Sequence, residues 1–132
     1  MLVIDASAAC DLLLRGPRSA AIAQVLASPD ESLHAPSIFP AECLNVARRR
    51  YLQQELAAAD VDRFITELYE LDIEHHDLDV TQAQLMPKLF PNVTAMDAAY
   101  VTLTQQLGAT LVTLDDRLAE AAARRCDVIT FR

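Results

Sequence analysis

With 132 residues, 52% hydrophobic and 23% charged, the chain has the length and balance of one globular domain spanning residues 1–132, which excludes a disordered or fibrous protein. No apolar run approaches the roughly 18 residues of a membrane span and no basic region precedes Asp5, so the expectation is a cytoplasmic protein without a membrane partner. The net charge of −8 argues against nucleic acid as a partner unless the acidic residues hold metal ions, because a bound divalent cation can bridge carboxylates to phosphate.

In chain order, Leu2-Val3-Ile4 reads as a short strand running into Asp5, with Ser7 placed to cap a helix continuing through Leu14. Gly16-Pro17 breaks that helix, and a second follows from about Ser19 to Ala27. Leu33-His34-Ala35 is a weaker strand. Ser37 opens a long helix to about Gln53, in which Pro40 is tolerated because the first turn has no use for its missing N–H. Glu42 falls four residues after Ile38 and four before Val46, on the face these apolar residues direct inward. A carboxylate there is costly without a partner.

Ala57 to about Tyr69 forms a further helix, Leu71 to His75 alternates like a half-buried strand, and Asp79 to about Leu89 reads as helix. The faces of the Ser19–Ala27 and Ala57–Tyr69 helices serve the core or a docked partner. Met96, Ala99, Tyr100, Leu103 and Leu107 recur at helical spacing between Thr94 as N-cap and Gly108 as stop. Thr110 to Leu114 is a buried strand ending at Asp115, a helix runs from about Arg117 to Arg124, and Val128 to Phe131 is the last strand. Strands alternating with helices predict an α/β fold, with a mainly parallel sheet of four to five strands flanked by helices. Ten helical residues rise about 15 Å and the strand returns roughly 13 to 17 Å, so Asp97 and Asp115 finish level at the carboxyl edge, where open α/β sheets bind ligands.

Several chemistries drop out. Cys10, Cys43 and Cys126 are too scattered for a disulfide framework or zinc site and read as small core residues. His75 and His76 are adjacent, so they diverge on a strand or a helix, and no third ligand sits at a recognisable spacing. The only glycines, Gly16 and Gly108, cannot build a phosphate-cradling loop, and no serine lies in a GxSxG elbow.

What remains is acidic: Asp5 after the first strand, Glu42 within a helix, Asp97 at a helix start and Asp115 after a late strand. Asp5 also suits a turn, Asp97 a helix dipole and Asp115 a cap, but capping does not account for Glu42. Four converging carboxylates repel one another and raise their own pKa values unless a hard divalent cation sits among them; all-oxygen ligation suits magnesium or manganese.

The segments VIDASA at 3–8, AECLNV at 41–46, MDAAYVTLTQQLGA at 96–109 and LVTLDDRL at 111–118 resemble, in order and spacing, the PIN-domain family, and most closely its VapC-type toxin ribonucleases of bacterial toxin–antitoxin pairs. The resemblance implies a PIN-like α/β/α sandwich in which Asp5, Glu42, Asp97 and Asp115 form the acidic set. Asp5, Asp97 and Asp115 would hold the metal, and Glu42 and Asp116 would do so directly or through water, with Asp116 an alternative to Asp115. Ser7 and Thr113 match supporting hydroxyls and Asn45 a polar position beside the glutamate. Relatives often carry an aromatic residue where this chain has Met96.

The activity implied is magnesium-dependent endoribonuclease cleavage of RNA with one or two ions, by a homodimeric toxin restrained by a cognate antitoxin protein. Arg48, Arg49 and Arg50, with Arg15 and Arg18, are the cations available for RNA phosphates, though consecutive helical residues diverge by about 100° and at most two of the three can face one substrate. Two other readings compete: a phosphoacceptor signalling domain, which needs a strand-end lysine where this chain has only Lys88, and an inactive PIN scaffold that binds a partner.

Overall fold

Every side chain of Leu2-Val3-Ile4 is buried, and a strand with no polar face belongs at the centre of a sheet covered on both sides. In the computed structural model, which describes residues 1–132, this strand is β1 (Leu2–Ile4) and it is central. It pairs with β2 (Leu33–Pro36) on one side and β4 (Thr110–Val112) on the other; β3 (Ile73–His76) and β5 (Asp127–Ile129) form the edges. All four pairings are parallel, in the order β3-β2-β1-β4-β5. Connections from β1 therefore leave toward β2 while the chain later returns on its other flank, which opens a crevice beyond the carboxyl ends of β1 and β4.

The connecting helices are α1 (Ala6–Leu13), α2 (Ser19–Leu26), α3 (Phe39–Leu52), α4 (Ala58–Glu70), α5 (Val80–Leu85), α6 (Ala95–Leu107) and α7 (Asp116–Ala123). Helices α1, α2, α3 and α4 pack together, while α6 lies against β1, β2 and β4. Residues Ala98 to Thr104 of α6 are all buried, so this helix has little polar face to give to solvent. Its two buried threonines satisfy their hydroxyls on their own helix, Thr102 donating to Ala98 O at 3.0 Å and Thr104 to Tyr100 O at 2.7 Å. The free Cys10 and Cys43 are core residues, and Cys126 is half-buried.

The differences from the expected elements have local causes. Asp5, not Ser7, caps α1, accepting from Ala8 N at 3.1 Å, because Ser7 is already inside the helix. The expected helix from Asp79 to Leu89 stops at Leu85 and tightens into a 3-10 turn over Met86–Leu89, where Pro87 has no N–H for an α-helical bond. Strand β4 ends at Val112, two residues early, because Thr113 turns its hydroxyl toward Asp5 and Asp115 is committed to capping α7. The last strand starts at Asp127, and β3 runs from Ile73 to His76 in place of Leu71 to His75.

Candidate active site

Four separate elements deliver the four acids to one cleft of about 530 Å³ at the carboxyl end of the sheet. Asp5 follows β1, Glu42 lies in the first turn of α3, Asp97 in the first turn of α6, and Asp115 caps α7. Asp116 is exposed and lines a different depression with Val128 and Arg132, so Asp115 is the member of that pair that reaches the cleft.

Asp5 is the most enclosed of the four, at 5% exposure. Its Oδ1 accepts from Ser7 Oγ at 2.7 Å and from Ala8 N, and its Oδ2 accepts from Thr113 Oγ1 at 2.7 Å. Burial nevertheless pushes its carboxyl up to about 6, the three hydrogen bonds offsetting only part of the lost hydration and nearby Asp115 adding repulsion. Thr113 is itself fully buried and accepts from Asp115 N at 3.0 Å; Ser7 Oγ accepts from Leu114 N at 3.0 Å. The two hydroxyls thus tie the ends of β1 and β4 to the same carboxylate.

Glu42 has the partner its apolar position demands. Tyr100 OH donates to Glu42 Oε1 at 2.6 Å, and burial followed by repulsion from Asp97 raises the Glu42 pKa despite that bond. Burial and the acceptor also raise the Tyr100 hydroxyl, which stays protonated as the donor. Sequence reading used Tyr100 only as an apolar residue of α6. The signal was present, since Tyr100 lies three residues after Asp97 and so shares its side of the helix.

Asp97 is raised by desolvation and by Asp115, with Arg117 acting in the opposite direction. Asp115 Oδ1 accepts from the α7 amides of Arg117 at 3.0 Å and Leu118 at 3.1 Å, so the capping role expected of it is real and uses one oxygen. Oδ2 of Asp115 and Oε2 of Glu42 carry no protein hydrogen bond. Such a set, all oxygen, mutually repelling and with free lone pairs, fits a hard divalent cation.

Of the three consecutive arginines only Arg49 lines the cleft, beside Asn45; Arg48 and Arg50 point elsewhere, as the helical divergence requires. Arg15 is paired with Glu67 at 3.0 Å. Lys88 lies in the 3-10 turn outside the acid cleft, so no lysine stands among the acids. His75 and His76 do diverge: the His75 ring faces Phe39, whereas His76 Nε2 meets His34 Nδ1 at 2.9 Å across β2 and β3. Sequence spacing missed the rest of that cluster, because parallel pairing brings His34, Glu74 and His76 within 4.8 Å of one another. Ser32 Oγ occupies the other His34 nitrogen at 2.8 Å, and burial lowers the His34 pKa.

The sequence matches the PIN domain over residues 2–124. It is 31% identical to ribonuclease VapC12 of Mycobacterium tuberculosis, covering 97% of each chain, and 36% identical to ribonuclease VapC3 of the same organism, covering 91% of this chain and 86% of the other. The fold superposes on VapBC2 from Rickettsia felis, solved with a DNA fragment from its promoter, with a TM-score of 0.69 at 12% identity over 99% of this chain and 98% of that one.

Proposed function

The chain belongs to the PIN-domain family, among relatives named as VapC ribonucleases, and from that membership we propose that it is a metal-dependent endoribonuclease, the toxin of a toxin–antitoxin pair. The observation that carries the reading is the delivery of Asp5, Glu42, Asp97 and Asp115 by four different elements to one cleft. Asp5, Asp97 and Asp115 would hold magnesium or manganese, with Glu42 joining directly or through water. A bound ion of this kind lowers the pKa of water and stabilises charge on the phosphoryl oxygens.

The protein's own groups do the positioning. Ser7, Ala8 and Thr113 fix the Asp5 carboxylate, the α7 amides fix Asp115, and Tyr100 fixes Glu42 through Oε1. Glu42 combines a raised proton affinity with an unbonded Oε2, which suits it to take the proton of the attacking water at that atom. Asn45 and Arg49 line the same cleft, within reach of a phosphate there.

An RNA-cleavage assay with and without magnesium, comparing the parent with Asp97→Asn, tests this reading. Loss of cleavage by at least about a hundredfold is expected on removing either the metal or the carboxylate charge. Undiminished cleavage by folded Asp97→Asn overturns it. A cytoplasmic homodimer with a cognate antitoxin follows from the family resemblance, and the exposed Tyr51, Leu52, Ile65 and Tyr69 on and beside α3 and α4 supply apolar surface for such partners. Light scattering of the purified chain reads the dimer, and a monomer at micromolar concentration counts against it.

A further inference from the structure

Outside the acid cleft, a groove of about 530 Å³ lies between α7 and the segment from Lys88 to Asn92. Lys88, Arg117, Arg124 and Arg125 line it with a single acid, Glu120. Four of the eleven lysines and arginines of a chain with net charge −8 therefore face one depression. None of the four is in an ion pair, although the chain has acids to spare. Arg117, Ala121 and Arg124 follow at spacings of four and three, which sets them along one side of α7. The seven helical steps from Arg117 to Arg124 rise about 10 Å, enough to meet more than one phosphate of a strand.

The groove adjoins the acids. The Arg117 amide donates to Asp115 Oδ1, its charge acts on Asp97, and its Nε donates to Asn92 O at 3.1 Å, which holds the side chain at the junction. We propose that this groove binds the sugar-phosphate backbone of the RNA substrate, leading the strand into the acid cleft past Arg117. The proposal rests on the ribonuclease reading and assigns the substrate path to α7, away from the arginines Arg48 and Arg50 of α3. Exposed, unpaired guanidinium groups release counterions when they meet phosphates, and that release supplies affinity without base specificity.

The test is binding of a fluorescently labelled 20-nucleotide oligouridylate to the full chain across monovalent salt concentrations, with EDTA present to keep the RNA whole. Arg124→Gln/Arg125→Gln removes two groove charges at exposed positions distant from the acids. The control, Arg63→Gln/Arg132→Gln, removes the same charge from exposed positions elsewhere. For single strands each lost phosphate contact lowers the slope of log K against log salt by about 0.7, so the groove pair is expected to flatten it by about 1.4 and weaken binding about 25-fold at 0.1 M salt. The control pair should move neither by more than about twofold.

Equal weakening by both pairs, which would reduce the effect to net charge, overturns the proposal, as does a groove pair that binds like the parent. A groove pair that keeps its RNA affinity but loses binding to oligoglutamate also overturns it, making the groove a seat for an acidic protein segment. Magnesium-dependent cleavage by the parent, measured in parallel, separates the two readings: cleavage with an unchanged slope retires the groove alone, and neither cleavage nor RNA binding retires both.

Discussion

Asp5→Asn should stabilise the metal-free protein at neutral pH, because burial makes the charged form of this carboxylate a liability that only a cation can offset. Its pKa rises from 3.8 to about 6 on folding, a difference worth roughly 3 kcal/mol between the two protonation states. A folded-state pKa raised above the unfolded value gives stability that is complete below pH 3.8 and lost as pH rises through about 6. Asn keeps an acceptor for Ser7 and Ala8, and Thr113 can turn its hydroxyl to accept from the new amide. Thermal melts in EDTA should therefore show the variant melting roughly 11 °C above the parent at pH 8 and with it at pH 4. Magnesium at about a hundred times its Kd stabilises the parent by about 2.7 kcal/mol and should close most of the gap at pH 8. A parent–variant difference that is constant from pH 4 to 8, or a parent insensitive to magnesium, would refute this account of Asp5.

Tyr100→Phe removes the hydrogen bond to Glu42 Oε1, and the raised proton affinity of Glu42 should climb further. The acidic limb of the cleavage pH profile should then move to higher pH, at a stability cost of about 1 kcal/mol, and an unmoved limb would deny Tyr100 its positioning role. Gly108 closes α6 at φ 61° with open space where a Cβ would stand, so Gly108→Ala meets no clash and suffers only the left-handed backbone penalty. Chemical denaturation should show a loss of about 1 kcal/mol with cleavage unchanged, and a loss beyond about 3 kcal/mol would mean the glycine does more than end the helix.

The elements legible in the sequence were those whose local pattern and tertiary use agree. Three consecutive apolar residues at the N-terminus read as a short strand, which the fold places at the centre of the sheet, and Glu42 on an apolar face demanded the partner it has in Tyr100. The failures lie where a side chain answers to something distant in sequence. Ser7 looked like a cap because Asp5 and Ser7 are equally good capping residues, but α1 starts at Ala6, which leaves Asp5 to cap it and frees Ser7 to bond Asp5 and the amide of Leu114, more than a hundred residues away. By contrast, the strand end favours Asp115 over Asp116, and Asp115 lines the cleft even though β4 stops at Val112. His34 and His76 are 42 residues apart, so only the parallel pairing of β2 and β3 brings them together.

Charge shows the same limit. A net −8 weighs against a polyanionic partner only if the charge is spread evenly, and in this fold it is not. The carboxylates at the sheet edge line one cleft, where a divalent cation would reverse their field, while four unpaired cations line the groove beside α7 next to them. With a Debye length of about 8 Å at physiological salt, a strand in that groove is screened from most of the remaining acids. Helix α7 links the two features: Asp115 caps its start in the acid cleft, and Arg124 and Arg125 end it in the groove.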